Sequence, residues 1–433
     1  MSTVAEKNPV AEKLMEGFPG KLPSLSGDAK VRRHAADVFL AAGIPTRKWE
    51  DYKYLHPEAL FKKEFHGTPS VSRMVTEHDV KEMLIAPSAI RVVLVNGVFS
   101  AELSPKKNQP DGIVIMDLAD AIVSSETAKK HYAKYATAEK DPFIAWNTAL
   151  NEGGVFIHFP AGAKMQEPVH IIHIASNEVS SVCHPRILIV AENGCEALII
   201  ESYESIGPVK TFTNAVTEVF AAEHTKVHHY RVQAEGENAH QLNSLHALTQ
   251  KGSNYSNYTF SFGGAWVRNN TNVVFSQPFS EAHLFGLYLP GGKSVVDNHT
   301  VVDHAVPDCM SNELFKGIVN GKSTAVFNGK IFVRPDAQRT NAFQTNRNIL
   351  LSDDATVNTK PQLEIYADDV KCSHGTSTGR LNDEALFYLR ARGIGEDNAR
   401  KLLVRAFAEE VVEKVELKEL RGYIDSRIDD LLA

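Results

Sequence analysis

The middle of the chain alternates between short hydrophobic runs and turn residues. Between Phe143 and about Gly375, runs such as Ile187-Leu188-Ile189-Val190 and the alternating apolar positions Phe285, Leu287 and Leu289 are typical of β-strands. Turn dipeptides separate these runs: Asn193-Gly194, Lys251-Gly252, Gly263-Gly264, Gly291-Gly292, Asn320-Gly321 and Asn328-Gly329. Because amphipathic helices of about 10–15 residues are missing between the runs, a doubly wound α/β sheet is excluded. Without a visible fixed-period repeat, the pattern leaves a sandwich, a barrel and a β-solenoid open.

Helical patterns flank this β-rich region. Ser26 or Asp28 can cap a helix that Gly43 ends, and its predicted apolar positions are Val31, Ala35, Val38, Phe39 and Ala42. Further on, 90–95 reads as a strand that Asn96-Gly97 turns into a hairpin. The tail from Gly395 carries two apolar stripes at helical spacing. We therefore predict an N-terminal helical or mixed domain (1–140), a β core (141–375) and a C-terminal helical domain (376–433).

Composition narrows the class of protein. The 433 residues are 43% hydrophobic and 23% charged, with a net charge of −7, which indicates a soluble globular protein and disfavours a nucleic-acid partner. No apolar run approaches the roughly 18 residues needed to span a membrane. The N-terminal stretch lacks the apolar core of a signal peptide, and the four scattered cysteines do not form a disulfide framework. We expect a cytoplasmic protein with free thiols.

The strongest candidate chemistry lies where the β pattern meets the helical tail. Cys372 and His374 are two residues apart on a predicted extended backbone, so their side chains should point to the same side. Thiolate and imidazole suit iron–sulfur species, zinc or copper(I). Two ligands do not complete a metal site, so a second chain, another loop or a transient cluster must supply the rest. A helix capped by Asn382 or Asp383 and ended by Gly393 follows.

Other candidate groups are weaker. Residues an odd number apart on a strand face opposite sides, which separates His228 from His229 and His170 from His173. The same parity separates His299 from His304, and whether that segment or Cys309 takes part in a site stays open. The Asn320-Gly321-Lys322-Ser323 segment lacks the first glycine of a P-loop, so we expect no nucleotide site in this chain.

The region around these residues resembles a known family. Asn358-Thr359-Lys360-Pro361, the run 364–375 (EIYADDVKCSHG) and Leu386-Phe387-Tyr388-Leu389 with Arg392-Gly393 are similar to the C-terminal signature of the SufB/SufD family of iron–sulfur cluster assembly scaffolds. The segment 43–54 resembles the family's N-terminal motif, and we interpret its aromatic residues as an anchor between domains. Gly375 stands where SufB-like chains generally carry glutamate, and a SufB-like cysteine before Ile349 is missing, so the chain resembles the SufD branch.

The resemblance carries expectations about fold and function. It implies a right-handed parallel β-helix core with helical domains at both ends, in a non-catalytic subunit of a SufB–SufC–SufD scaffold. It implies that Cys372 and His374 contribute to a nascent iron–sulfur cluster shared with a SufB-like paralogue, without a cluster held stably by the isolated chain. A SufC-like ABC ATPase, which would hold the ATP, is expected to dock on a surface with these residues: Leu386, Phe387, Tyr388, Arg390 and Arg392.

Two further expectations complete the sequence-based interpretation. Alone, the chain should form a homodimer through the strand edge that normally meets the paralogue. The alternative function is a β-helix carbohydrate-active enzyme, a lyase or esterase, against which the missing export signal and the free thiols argue.

Overall fold

The computed structural model describes residues 8–63, 65, 74–105, 109–208 and 210–432. The strands are β1 (Ile90–Val95), β2 (Val98–Phe99), β3 (Val114–Asp117), β4 (Gly154–Phe159), β5 (Val169–Ala175), β6 (Ser181–Cys183), β7 (Arg186–Ala191), β8 (Glu196–Ser205), β9 (Thr211–Ala221), β10 (Lys226–Gln233), β11 (Ala239–Thr249), β12 (Asn254–Ser261), β13 (Trp266–Phe275), β14 (Glu281–Tyr288), β15 (Val295–His304), β16 (Met310–Val319), β17 (Thr324–Val333), β18 (Thr340–Leu350), β19 (Thr356–Ile365) and β20 (Val370–Arg380). The α-helices are α1 (Pro9–Leu14), α2 (Phe18–Lys21), α3 (Ala29–Ala42), α4 (Pro57–Lys63), α5 (Glu77–Glu82), α6 (Leu118–Ser124), α7 (Glu126–His131), α8 (Pro142–Leu150), α9 (Asp383–Ala391), α10 (Glu396–Val412) and α11 (Lys418–Leu431), with 3-10 helices at Leu22–Ser24, Glu50–Tyr52 and Ala138–Lys140.

The strands form two long sheets that face each other. Sheet 1 has the order β2-β1-β5-β8-β10-β12-β14-β16-β18-β20, and sheet 2 has the order β19-β17-β15-β13-β11-β9-β7-β4-β3. From β4 onward, successive strands alternate between the sheets, apart from the short β6, and pair in parallel with the strand one coil away. This arrangement is a parallel β-helix, which confirms the predicted fold class.

The sheets extend beyond the predicted core interval 141–375 at both ends. Before residue 141, β1 pairs in parallel with β5, and β3 pairs antiparallel with β4. The hairpin predicted at Asn96-Gly97 is confirmed, because β1 and β2 pair antiparallel and both turn residues have positive φ. At the other end β20 continues to Arg380. Gly375 therefore lies inside the last strand, and the boundary between the β core and the helical tail follows Arg380.

The N-terminal helices other than α5 pack on the outer face of sheet 2, whereas α5 packs on β1 and β5 of sheet 1. Asp28 caps α3 and Gly43 ends it, as predicted, but the predicted apolar face is partly wrong. Val31 is 39% exposed, whereas Arg32 is 3% exposed and donates hydrogen bonds to the carbonyl oxygens of Ser26 and Ala149. An arginine can occupy a buried helix position when backbone carbonyls accept its protons.

The aromatic segment near residue 50 anchors the N-terminal domain through one ring. Tyr52 is buried, donates a hydrogen bond to Asp141 and stacks with the Arg268 guanidinium 4.1 Å from its ring centre. Trp49 and Tyr54 are exposed. The predicted anchor is therefore Tyr52 alone, and it joins the N-terminal region to the outer face of sheet 2.

The C-terminal tail covers the outer face of sheet 1. Buried residues of α10 and α11, among them Val404, Ala408 and Ile424, form one cluster with Tyr258 and Leu287 of that face. The tail thus buries most of its two predicted apolar stripes on the β body. Its first helix, α9, does not share in this burial: none of its described residues is buried.

Candidate functional site

Cys372 and His374 lie on the inner face of the last strand. In the register of sheet 1, Ala342 pairs with Cys372 and Gln344 pairs with His374. Cys372 packs into a cluster with Ala342 and Leu363 inside the β-helix. On the same face, the hydroxyl of Thr376 lies 2.9 Å from that of Thr359 on β19. His374 stands between these two inward-facing positions, so the prediction that Cys372 and His374 share one side is confirmed.

This inner face is open to solvent because β19 and β20 form the last coil. Within the described residues, no strand pairs with the outer edge of either one, which leaves edges 10 and 11 residues long. Cys372 is half-buried, and 373–380 are all exposed. Long unpaired edges are templates for another chain. A thiol and an imidazole are therefore presented at the open end of the β-helix.

The two side chains are suitable ligands but do not form a complete metal site. Burial raises the pKa of the Cys372 thiol, and the backbone N–H of Ala342 partly opposes this rise. Metal binding favours the thiolate, so a soft ion would deprotonate this thiol as it binds. In the described part of the chain, no three His, Cys, Asp or Glu side chains are grouped closely enough to hold a metal ion.

The histidine pairs on neighbouring or odd-spaced positions are separated as predicted. His229 lies inside the β-helix, 2.8 Å from Glu201, whereas His228 faces outward toward Glu416 and the tail. His170 contacts Ser202 at 2.9 Å, and His173 stacks on Tyr203 inside the β-helix. These histidines are packed groups of the fold.

The segment containing His299, His304 and Cys309 does not converge on one ion. His299 lies on the outer face, 2.9 Å from Asp297, and His304 lies inside, 2.9 Å from the Ser311 hydroxyl. Cys309 is buried just before β16, two coils from the open end. The structure therefore separates Cys309 from Cys372.

The residues predicted to bind a partner lie on α9 and, for Arg392, at its C-cap, next to the open end. Phe387 is 74% exposed and Tyr388 is 55% exposed, and the Arg392 guanidinium stacks 4.5 Å from the Tyr388 ring centre. Arg390 pairs with Glu396 at 3.2 Å, and Leu386 is half-buried. The result is an exposed aromatic and cationic surface, the composition typical of interface anchors.

Sequence reasoning did not identify two buried polar residues beneath His374. Gln344 and Glu313 occupy the same inner column, one and two coils below it. A signal existed: both alternate in phase with buried positions, and Gln344 lies about one coil length and Glu313 about two coil lengths upstream of His374. It could be interpreted only once the register between coils was known.

Comparison with known proteins assigns the family. Residues 173–407 match the SufBD core domain of SUF-system FeS cluster assembly, and residues 25–171 match the SufBD protein N-terminal region. The chain belongs to the SufBD family. It is 30% identical to an iron–sulfur cluster assembly SufBD family protein of Synechocystis sp., over 90% of this chain and 88% of that protein. It is 31% identical to the iron–sulfur cluster assembly protein SufD of Escherichia coli, over 91% of this chain and 90% of that protein.

Membership in the SufBD family places the chain in iron–sulfur cluster assembly by the SUF system, as a SufD-like protein. The function predicted from the sequence is confirmed at this level, in preference to a carbohydrate-active enzyme.

A chloroplastic protein of Arabidopsis thaliana is 27% identical over 98% of this chain and 90% of its own length. None of the described helices is long and apolar enough to cross a membrane.

Proposed function

We propose that this chain is the SufD-like subunit of a SufB–SufC–SufD scaffold and supplies one side of a shared cluster site. The observation that carries this proposal is the position of Cys372 and His374, side by side on the uncovered inner face of β20. A SufB-like paralogue that pairs with this open end would cover the strand edges and add the remaining ligands. The nascent iron–sulfur cluster is the cargo of this site.

A shared site suits transient holding of a cluster. Iron–sulfur clusters usually take four protein ligands, and this chain offers two. The assembled complex would hold the cluster only while both subunits present their ligands, so separation of the subunits would release it. The chain would act without catalysing a reaction itself. When the paralogue is missing, the same edges would pair two copies of this chain in a two-fold homodimer.

The second part of the proposal concerns the ATPase. Phe387 and Tyr388 on α9 offer exposed aromatic area, with Arg390 and Arg392 beside them. This surface would dock a SufC-like ABC ATPase, and the ATP would be bound there and not on this chain. Only two residues separate the end of β20 from the start of α9. A movement of the docked ATPase would therefore be transmitted through α9 to the strand that carries Cys372 and His374. We place the complex in the cytoplasm.

The test of the cluster site is co-expression with the SufB-like and SufC-like proteins of the same organism. The intact complex is weighed by mass spectrometry and assayed for iron and sulfide. We expect His374→Ala to leave the complex intact and to lower the cluster content several-fold. The matched control is His78→Ala, which removes an exposed histidine of α5, far from the open end. Full cluster content in the His374→Ala complex would contradict the proposed site.

The test of the docking surface uses Phe387→Asp in a pull-down with the SufC-like ATPase. We expect this variant to lose the ATPase while it melts cooperatively, because Phe387 is exposed and contributes little to the fold. Phe279→Asp is the matched control: Phe279 is also exposed, and its φ of 65° suits aspartate better than phenylalanine. Retention of the ATPase by Phe387→Asp would refute this role of α9.

A further inference from the structure

A column of polar side chains runs inside the β-helix below the candidate cluster site. The register of sheet 1 pairs His374 with Gln344 and Gln344 with Glu313, each one coil further from the open end. Neighbouring strands are about 4.8 Å apart, so His374 lies next to Gln344 and about 10 Å from Glu313. His374 can therefore contact Gln344 directly but cannot reach Glu313.

Gln344 is held in one orientation. Its side chain is 2% exposed, and its Nε2 donates a hydrogen bond to Glu313 Oε1 at 3.2 Å. Gly329 makes room for this amide, since a Cβ atom at that position would lie 2.3 Å from Gln344 Nε2. A larger residue at position 329 would displace the amide. The packing and the hydrogen bond together fix which end of the amide faces Glu313.

Glu313 is the base of the column. It is fully buried, and its Oε2 accepts a hydrogen bond from the Thr300 hydroxyl at 2.5 Å. Burial raises the pKa of Glu313 to about 7. Above that pH Glu313 is a carboxylate, which only accepts hydrogen bonds and therefore requires the N–H end of the Gln344 amide. The other end, Gln344 Oε1, is buried without a hydrogen-bond partner among the described residues. A buried acceptor of this kind calls for a donor nearby.

We infer that Gln344, oriented by Glu313, is a positioning residue for His374: its Oε1 accepts the N–H of the imidazole and leaves the other ring nitrogen free to bind a cluster iron. Histidine ligands of metals usually donate their second N–H to such a partner, which fixes the tautomer and the ring orientation. The inference rests on the proposed role of His374 as a ligand. The inference also explains why the residue beneath His374 is an uncharged amide: the Gln344 amide can orient the imidazole ring without adding charge to the site.

The test measures the tautomer of His374 in the full isolated chain labelled with ¹⁵N-histidine. Ring ¹⁵N shifts are recorded at a pH high enough that the imidazoles are neutral and Glu313 is ionised. The His374 signals are identified by their loss in His374→Gln. We expect the tautomer ratio of His374 to differ by about threefold or more from that of the exposed His78, as one hydrogen bond allows. Gln344→Met, which keeps the volume but removes the acceptor, should return the ratio to that of His78.

The matched control is Asn348→Met. Asn348 is an equally buried amide on the same strand, but it lies beneath Thr378 and bonds to Asn346 at 2.8 Å. We expect this control to keep the wild-type ratio at His374. A wild-type ratio equal to that of His78, or an unchanged ratio in Gln344→Met, would overturn the inference. If Gln344→Met does not fold, Glu313→Gln replaces it, because a glutamine there lets the Gln344 amide turn; an unchanged ratio would again overturn it.

The cluster assay separates this inference from the proposed function. In the co-expressed complex, we expect the cluster content of Gln344→Met to lie between those of wild type and His374→Ala, because a misoriented ligand still binds. Full content in Gln344→Met would overturn the positioning role. Full content in His374→Ala would instead refute the ligand role of His374, while the tautomer ratio would still decide whether Gln344 orients the ring.

Discussion

Removal of the Glu218 side chain should destabilise the protein far more than removal of a surface carboxylate with the same kind of partner. Glu218 and Arg186 are completely buried on the outer face of sheet 2, with Arg186 Nη2 2.7 Å from Glu218 Oε2. Glu218 also accepts hydrogen bonds from the backbone N–H groups of Ala133, Tyr135 and Ala136 at 2.9–3.0 Å. The carboxylate therefore ties the segment before α8 to the β-helix.

The expected loss follows from what Glu218→Ala leaves behind. An uncompensated buried charge costs about 3–5 kcal/mol, and each buried N–H group without a partner adds about 1 kcal/mol. Water that enters the vacated space would satisfy some of these groups, so we expect a loss of about 4 kcal/mol or more. Asp429→Ala is the control: Asp429 pairs with Arg405 through two hydrogen bonds, but both side chains are exposed. Such surface pairs contribute about 0–1 kcal/mol.

The assay is urea unfolding followed by circular dichroism, with limited proteolysis to detect local opening of 133–148. A difference of less than about 1 kcal/mol between Glu218→Ala and Asp429→Ala would refute the reasoning, because it would mean that burial does not decide the strength of these ion pairs. Arg186→Met combined with Glu218→Leu should recover much of the loss, since it removes both charges together. No recovery would indicate that the hydrogen bonds to 133–136 carry most of the stability.

Three further predictions concern the thiols, acid and the isolated chain. Cys372 should react with iodoacetamide in the folded protein, whereas Cys183, Cys195 and Cys309 should react only after unfolding. The reason is that burial raises the pKa values of these three thiols to about 12, 12 and 11. Mass spectrometry of labelled peptides checks the order of reaction, and labelling of Cys195 before Cys372 would contradict it. Acid should destabilise the fold as the pH falls below about 6.5, because burial lowers the pKa values of six histidines to about 3 or 4, and the unfolded chain then binds more protons at these positions: His131, His170, His173, His184, His246 and His304. Burial also raises the pKa values of Glu204, Glu235 and Glu313 to about 7, 8 and 7, which opposes this loss, but the histidines outnumber these carboxyls. A constant urea midpoint between about pH 7 and pH 4 would be the contrary result. The isolated chain should purify without a stoichiometric cluster, since it offers two of the usual four ligands; stoichiometric iron and sulfide in a strictly monomeric sample would contradict this.

Local signals in the sequence predicted most of the local structures, but Asn328-Gly329, expected as a turn, lies inside β17. Asp28 caps the start of α3 and Gly43 ends it, and Asn96-Gly97 forms the turn between β1 and β2. Strand alternation places Cys372 and His374 on one face of β20. Each of these features depends on a few neighbouring residues, whose side chains and backbone angles act at short range. The Cys372–His374 pair could therefore be proposed without a structure.

The arrangement of the coils required the tertiary structure. Successive members of the column from His229 through Asn257, Leu284, Glu313 and Gln344 to His374 are 27 to 31 residues apart, because the turns between strands differ in length. This variation hides the repeat from a search for one fixed period. The sequence pattern alone consequently left three β architectures open, and the family resemblance was needed to choose among them.

Which side of each element is buried was also decided by packing. Val31 was expected to be buried but is exposed, and Arg32 is buried in its place, because backbone carbonyl groups near the helix accept hydrogen bonds from the guanidinium. Gln344 and Glu313 lie beneath His374 only because parallel strands stack in register. Strand alternation and helix capping act between neighbours in the sequence, so the sequence alone predicts them. The column beneath His374 joins residues about 30 positions apart, and only the winding of the backbone brings these residues together.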